Sequence, residues 1–98
     1  MILDRKEKQP VEVKDYPIDY TPWLAEVSDT IASVTATYAC IGSVDTALVI
    51  NRFPFTTTAV VVWLSGGTNL KSYKITVTVT TAGGRVDQSE FIIKIKDY

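Results

Sequence analysis

Apolar and polar residues alternate with a period of two along most of this chain. The clearest run places Tyr73, Ile75, Val77 and Val79 on one side and Lys74, Thr76, Thr78 and Thr80 on the other. A second run sets Phe91, Ile93 and Ile95 against Glu90, Lys94 and Lys96, and a third, from Thr30 to Ile41, sets Ala32, Val34, Ala36, Tyr38 and Cys40 against Ser33, Thr35 and Thr37. Side chains of a β-strand point to alternate faces, so each run predicts a strand with one face buried. Ala47 to Ile50 predicts a short strand. Tyr16-Pro17-Ile18-Asp19-Tyr20 predicts another, and its proline suits a sheet edge. The β-branched run Thr57 to Leu64 fits two registers. With Val60, Val62 and Leu64 as the core set, Trp63 faces outward and is a candidate partner contact; the opposite register puts Trp63 inside a core buried on both sides.

Turn signals punctuate these runs. Gly42 to Thr46 and Ser65-Gly66-Gly67-Thr68-Asn69 read as loops, and Thr81-Ala82-Gly83-Gly84-Arg85 as a tight reversal joining the last two strands. Thr21 before Pro22 suggests an N-cap for one helical turn over Pro22–Glu26, tucking Trp23 or Leu24 inward. Six or seven strands at this spacing, with no long helix, predict an all-β, immunoglobulin- or fibronectin-III-like antiparallel sandwich over residues 15–98, with a small barrel as the alternative. Residues 1–14, MILDRKEKQPVEVK, mix both charges with a proline and show little periodicity. They read as an extended N-terminal arm held by a neighbouring subunit, with Val11-Glu12-Val13 as the segment suited to add a strand to a partner's sheet.

Composition narrows the function classes. Ninety-eight residues, 46% of them hydrophobic, make one small domain with a modest core. Ten basic and eleven acidic residues leave a net charge of −1, which offers no field of one sign to a nucleic acid. No run reaches the about 18 apolar residues of a membrane span, and the first residues lack the apolar stretch of a signal peptide, so a cytosol-like compartment is expected. The single cysteine, Cys40, permits no internal disulfide and no cysteine-based zinc site; it reads as a small buried apolar group. Histidine is absent, which removes the commonest general base and metal ligand together. The carboxylates are scattered, and neither glycine pair, Gly66-Gly67 or Gly83-Gly84, precedes a helix or a phosphate-holding lysine. The expectation is no catalytic residue, no cofactor and no metal.

Two resemblances go further. Leu64-Ser65-Gly66-Gly67 through Tyr73-Lys74-Ile75-Thr76-Val77 resembles the corner before strand F of fibronectin-III and immunoglobulin-like domains, which implies that the Tyr73 hydroxyl bonds to backbone across that corner. Asp15-Tyr16-Pro17-Ile18-Asp19-Tyr20-Thr21-Pro22-Trp23-Leu24-Ala25-Glu26, then Asp29 to Ser33, Val62 to Thr68, Tyr73 to Val77 and Thr80 to Arg85, resemble in order and spacing the small tailed-phage proteins called fiber-tail adaptors. That resemblance implies a structural virion protein, assembled in the host cytoplasm and present in many copies. It would join tail or head-tail connector subunits to fibers, contacting other virion proteins and copies of itself rather than nucleic acid or membrane. A capsid decoration or cement protein, and a glycan-binding or host-adhesion module, are the alternatives the same fold allows. Val11, Glu12, Val13 and Trp63 are the candidate partner-binding residues.

Overall fold

The computed structural model describes residues 2–97, with side chains from residue 6 onward; Met1, the start of the expected arm, and Tyr98, the end of the expected domain, lie outside it. Seven strands and one short helix follow in the order β1 (Ile2–Lys8), β2 (Lys14–Asp19), α1 (Thr21–Val27), β3 (Ile31–Cys40), β4 (Leu48–Arg52), β5 (Ala59–Gly66), β6 (Ser72–Thr81) and β7 (Val86–Ile95). They form two sheets, β1-β7-β6-β3 and β2-β5-β4. All pairings are antiparallel except that of β1 with β7, which is parallel. The order matches an immunoglobulin-like sandwich in which β2, β5 and β4 stand where B, E and D do, and β3, β6 and β7 where C, F and G do.

The alternating positions meet between the layers. Val60, Val62 and Leu64 of β5 face Tyr73, Ile75, Val77 and Val79 of β6 and Phe91, Ile93 and Ile95 of β7 in one buried cluster. Three of these, Val60, Val62 and Leu64, are fully buried, which fixes the register of β5 and leaves Trp63 on the outer face. Tyr16, Ile18 and Leu24 close the same cluster from β2 and α1. Burying a side chain of this size contributes roughly 1.5–3 kcal/mol, so the alternation is the main force holding the layers together.

Three local expectations change. In β3 the pairing skips from Ile31 opposite Thr81 to Ser33 opposite Thr80, a bulge at Ala32. The extra residue turns Ala32 to solvent and brings Ile31 inward, while Val34, Ala36, Tyr38 and Cys40 keep the inward face. Cys40 is half-buried rather than buried, because β3 is an edge strand and its inward row only borders the core. The helix begins at Thr21, with Tyr20 as its cap and Pro22 in the first turn. The acceptor is Asp19, whose Oδ1 takes bonds from both the Thr21 amide and its hydroxyl. Asp19, two residues before Thr21, thus satisfies the first helical amide, while the cap residue Tyr20 makes no side-chain cap bond and Thr21 does not serve as the cap.

The largest correction concerns the arm. Residues 2–8 do not extend away from the domain; they run parallel to β7, from Ile2 opposite Glu90 to Lys8 opposite Ile95. Lys8 anchors them. Its side chain is buried, and its ammonium donates to the carbonyls of Gln9 (2.7 Å), Pro10 (3.4 Å) and Gly66 (2.7 Å), the last belonging to the opposite sheet. Burial pushes the Lys8 ammonium below its usual pKa, and the nearby Glu12 carboxylate opposes that. Charge-rich sequence hid this strand because an edge strand has little apolar alternation to show. Its cover explains why Ile92, on the outer face of β7, is nonetheless buried.

At the far end of the sandwich Asp29 ties down the β6–β7 reversal. It accepts from the Gly83 amide (3.1 Å), from its neighbour Thr30 (2.8 Å) and from the Arg85 guanidinium (3.0 Å). Hydrogen bonding, chiefly from the Thr81 hydroxyl, holds its carboxyl down at about 2. A carboxylate with a depressed folded pKa contributes stability above its unfolded value near 4, and loses it as pH falls through about 2. Melting temperature is therefore expected to fall between pH 4 and pH 2 in part through this group. Asp29→Asn should flatten that part of the profile while lowering stability at neutral pH; a profile identical to wild type would remove Asp29 from the account.

Candidate interaction surface

Strand directions bring three connections and the C-terminal residues to one end of the sandwich. Lys8 closes β1 there, Lys14 opens β2, Cys40 closes β3, Gly66 closes β5, Ser72 opens β6 and Ile95 closes β7. The connections at this end, residues 9–13, 41–47 and 67–71, carry Val11, Val13, Ile41, Val44 and Leu70. All five are between 49% and 98% exposed, and they make up most of the exposed large apolar residues described. Five exposed apolar residues on the connections at one end of a small domain make that end the candidate contact surface.

The loops that present these residues are pinned. The Tyr73 hydroxyl accepts from the Thr68 amide (3.0 Å) and donates to Oδ1 of Asp45 (2.8 Å), so one side chain fastens loop 67–71 to loop 41–47. Thr68 adds a hydroxyl bond to Oδ2 of Asp45 (2.7 Å), and the Ala47 amide donates back to the same carboxylate (2.8 Å). The Ala47 amide, then the Thr68 and Tyr73 hydroxyls, hold Asp45 below the usual carboxylate range, whereas burial pushes the Tyr73 phenol up. Further bonds run from Leu70 N–H to Ile95 (2.7 Å), from Gly67 N–H to Ala47 (3.1 Å) and from Asp97 N–H to Asn69 Oδ1 (2.9 Å). In the third connection, the Glu12 amide donates to the Gln9 carbonyl and the Glu12 carboxylate accepts from the Gln9 amide. Pinned loops lose little conformational entropy when a partner binds.

This is the corner expected from the sequence around Tyr73, with the hydroxyl reaching backbone five residues upstream. Residues 8–94 match a protein family described as podophage GP4 fiber-tail adaptor protein gp77. The chain belongs to that family. It is thus a structural, tail-associated virion protein of a tailed phage. The matched span begins at Lys8, the residue whose ammonium joins the two sheets, so strand β1 before it lies outside the match. No curated protein matches the chain.

In this adaptor the residues singled out from sequence fall close together. Val11, Glu12 and Val13 do not form a strand; they make the turn between β1 and β2, with both valines exposed. Val13 leads into Lys14, which pairs with Leu64, and the next pair is Asp15 with Trp63. Trp63 therefore sits on the outer face of β2-β5-β4, beside the apolar end. Arg52, its neighbour on β4, lies over the indole with the guanidinium carbon 4.2 Å from the ring centroid. Val44 and Leu70 escaped the sequence reading because each is an isolated apolar residue in a turn segment with no periodic partner, and Ile41 because it ends the alternating run of β3. That isolation is itself the signal, since it gives folding no reason for the residue to be apolar.

Proposed function

We propose that this adaptor joins tail or head-tail connector subunits to fibers as a rigid, non-catalytic wedge. It docks through the apolar end formed by Val11, Val13, Ile41, Val44 and Leu70, with Trp63 and Glu12 at the margin of the same contact. The arm mechanism expected from the sequence gives way to this one, because residues 2–8 of the arm pair with the adaptor's own β7 and Val11-Glu12-Val13 is a turn rather than a strand. The virion, where several copies meet other structural subunits, is its place of work.

Leu70 is the observation that carries the reading. It is 68% exposed and holds a φ of 68°, a left-handed conformation that disfavours a bulky side chain. Neither burial nor backbone preference accounts for a leucine at this position, whereas contact with a partner does. Leu70→Asn is expected to leave the melting temperature unchanged or raise stability by about 0.5–1 kcal/mol, since asparagine tolerates that conformation better. Combined with Val11→Ser and Val44→Ser it should cut incorporation into phage particles sharply, scored by complementation of a null phage and by the protein content of purified particles. Trp63→Ala should reduce incorporation while leaving the isolated domain folded, at a cost of about 1–2 kcal/mol for the half-buried indole and its cation–π contact with Arg52. Normal particles from the triple variant would overturn the proposal, and copy number per particle separates a tail position from a shell one.

A further inference from the structure

Four strands lie at sheet edges: β1 and β3 in the larger sheet, β2 and β4 in the smaller. An edge strand offers unpaired N–H and C=O groups to any passing chain, and proteins guard against this with charges, proline or brevity. Three of the four edges carry such guards. β1 reads Asp4-Arg5-Lys6-Glu7-Lys8 over most of its length, β2 holds Lys14, Asp15, Pro17 and Asp19, and β4 is five residues long and ends on Arg52. β3 has none. It is ten residues long, and no charged residue or proline occurs from Thr30 to Val44. Among the described residues β3 pairs with β6 alone; on its other flank only Ile31, at the very start, finds a backbone acceptor, the Thr57 carbonyl.

We propose that two copies of this chain pair through their β3 strands, antiparallel about a twofold axis, joining two four-stranded sheets into one of eight. The occupant is a second copy because β3 complements itself. A self-pair centred on Ala36 places Thr35 opposite Thr37, Val34 opposite Tyr38 and Ser33 opposite Ala39, and brings no charge against another. The outer row of that pair repeats contacts the fold already uses, where Thr35 faces Thr78 and Thr37 faces Thr76 across β3 and β6. The inner row Val34, Ala36 and Tyr38, now half-buried at the rim of the core, is covered by its twin. No other edge of the chain suits β3 as well, since each would lay charged side chains beside it. An isologous contact of this kind closes on itself as a dimer and does not propagate. The pairing uses the flank of the sandwich and stands independently of the docking role given to its loop end.

Sedimentation equilibrium of the full chain, over a series reaching about millimolar, tests this directly. A monomer–dimer equilibrium is expected. Thr35→Lys with Thr37→Lys, both at exposed outer positions, sets lysines opposite lysines and should leave only monomer with the wild-type melting temperature. Val86→Lys, exposed on β7 of the same sheet, should leave the dimer intact. Should the lysine pair impair folding, amide exchange of the wild-type chain decides: the β3 amides not bonded to β6 should gain about tenfold protection on going from dilute to concentrated protein. A wild-type chain that stays monomeric throughout, a dimer that persists in the folded lysine variant, or β3 exchange independent of concentration would each overturn the proposal.

Discussion

Gly66→Ala is expected to destabilise the domain by about 3 kcal/mol, which for a chain of this size lowers the melting temperature by roughly 12–24 °C. Two causes act at one position. Gly66 has a φ of 70°, which strains any residue with a β-carbon, and a β-carbon added there would stand 2.5 Å from the Ala47 carbonyl oxygen. That oxygen belongs to backbone held by Gly67 N–H, so it cannot swing aside as a side chain would. The Gly66 carbonyl is also the acceptor that receives Lys8 from the other sheet. A displaced Gly66 therefore loosens the β1 anchor together with loops 41–47 and 67–71, two of the three connections at the docking end. Thermal unfolding with far-ultraviolet circular dichroism reads the effect; a shift below about 5 °C would show that the corner relaxes around the new methyl group.

Tyr73→Phe is expected to cost about 2 kcal/mol, roughly 8–16 °C, and to affect docking more than packing. Phenylalanine keeps the ring, which is buried and lies edge-on to Tyr38 with centroids 5.8 Å apart. What disappears is the hydroxyl that serves Thr68 and Asp45 at once. The Thr68 amide loses its acceptor, and loops 41–47 and 67–71 keep only the Thr68 hydroxyl and the longer Lys71–Ser43 contact between their side chains, plus the Gly67–Ala47 backbone bond. Faster amide exchange confined to these loops, with β6 and β7 still protected, is the expected signature. Equal loss of protection through the whole domain would assign Tyr73 to general stability instead of loop pinning.

The sequence by itself determined the sandwich, and period-two alternation is the reason. Only a strand buried on one face repeats apolar residues in that way; Tyr73 to Val79 do so without interruption, and Phe91, Ile93 and Ile95 do so with Ile92 as the one exception on the outer row. The corner tyrosine was legible through its resemblance to fibronectin-III and immunoglobulin-like corners, which implied the backbone bond to Thr68 five positions away, whereas the bond to Asp45, twenty-eight positions away, was not legible. The outward Trp63 was legible as one of two registers, and the full burial of Val60, Val62 and Leu64 decided between them. Tertiary structure alone decided the fate of residues 2–8. A charged parallel edge strand gains its place from backbone bonds to β7 and from one buried ammonium reaching Gly66, fifty-eight positions away, and neither leaves a periodic trace. The apolar end was hidden for a related reason. Val11, Val13, Ile41, Val44 and Leu70 are scattered over sixty positions, each unremarkable in its own turn, and only the alternating direction of the strands gathers them at one pole of the molecule.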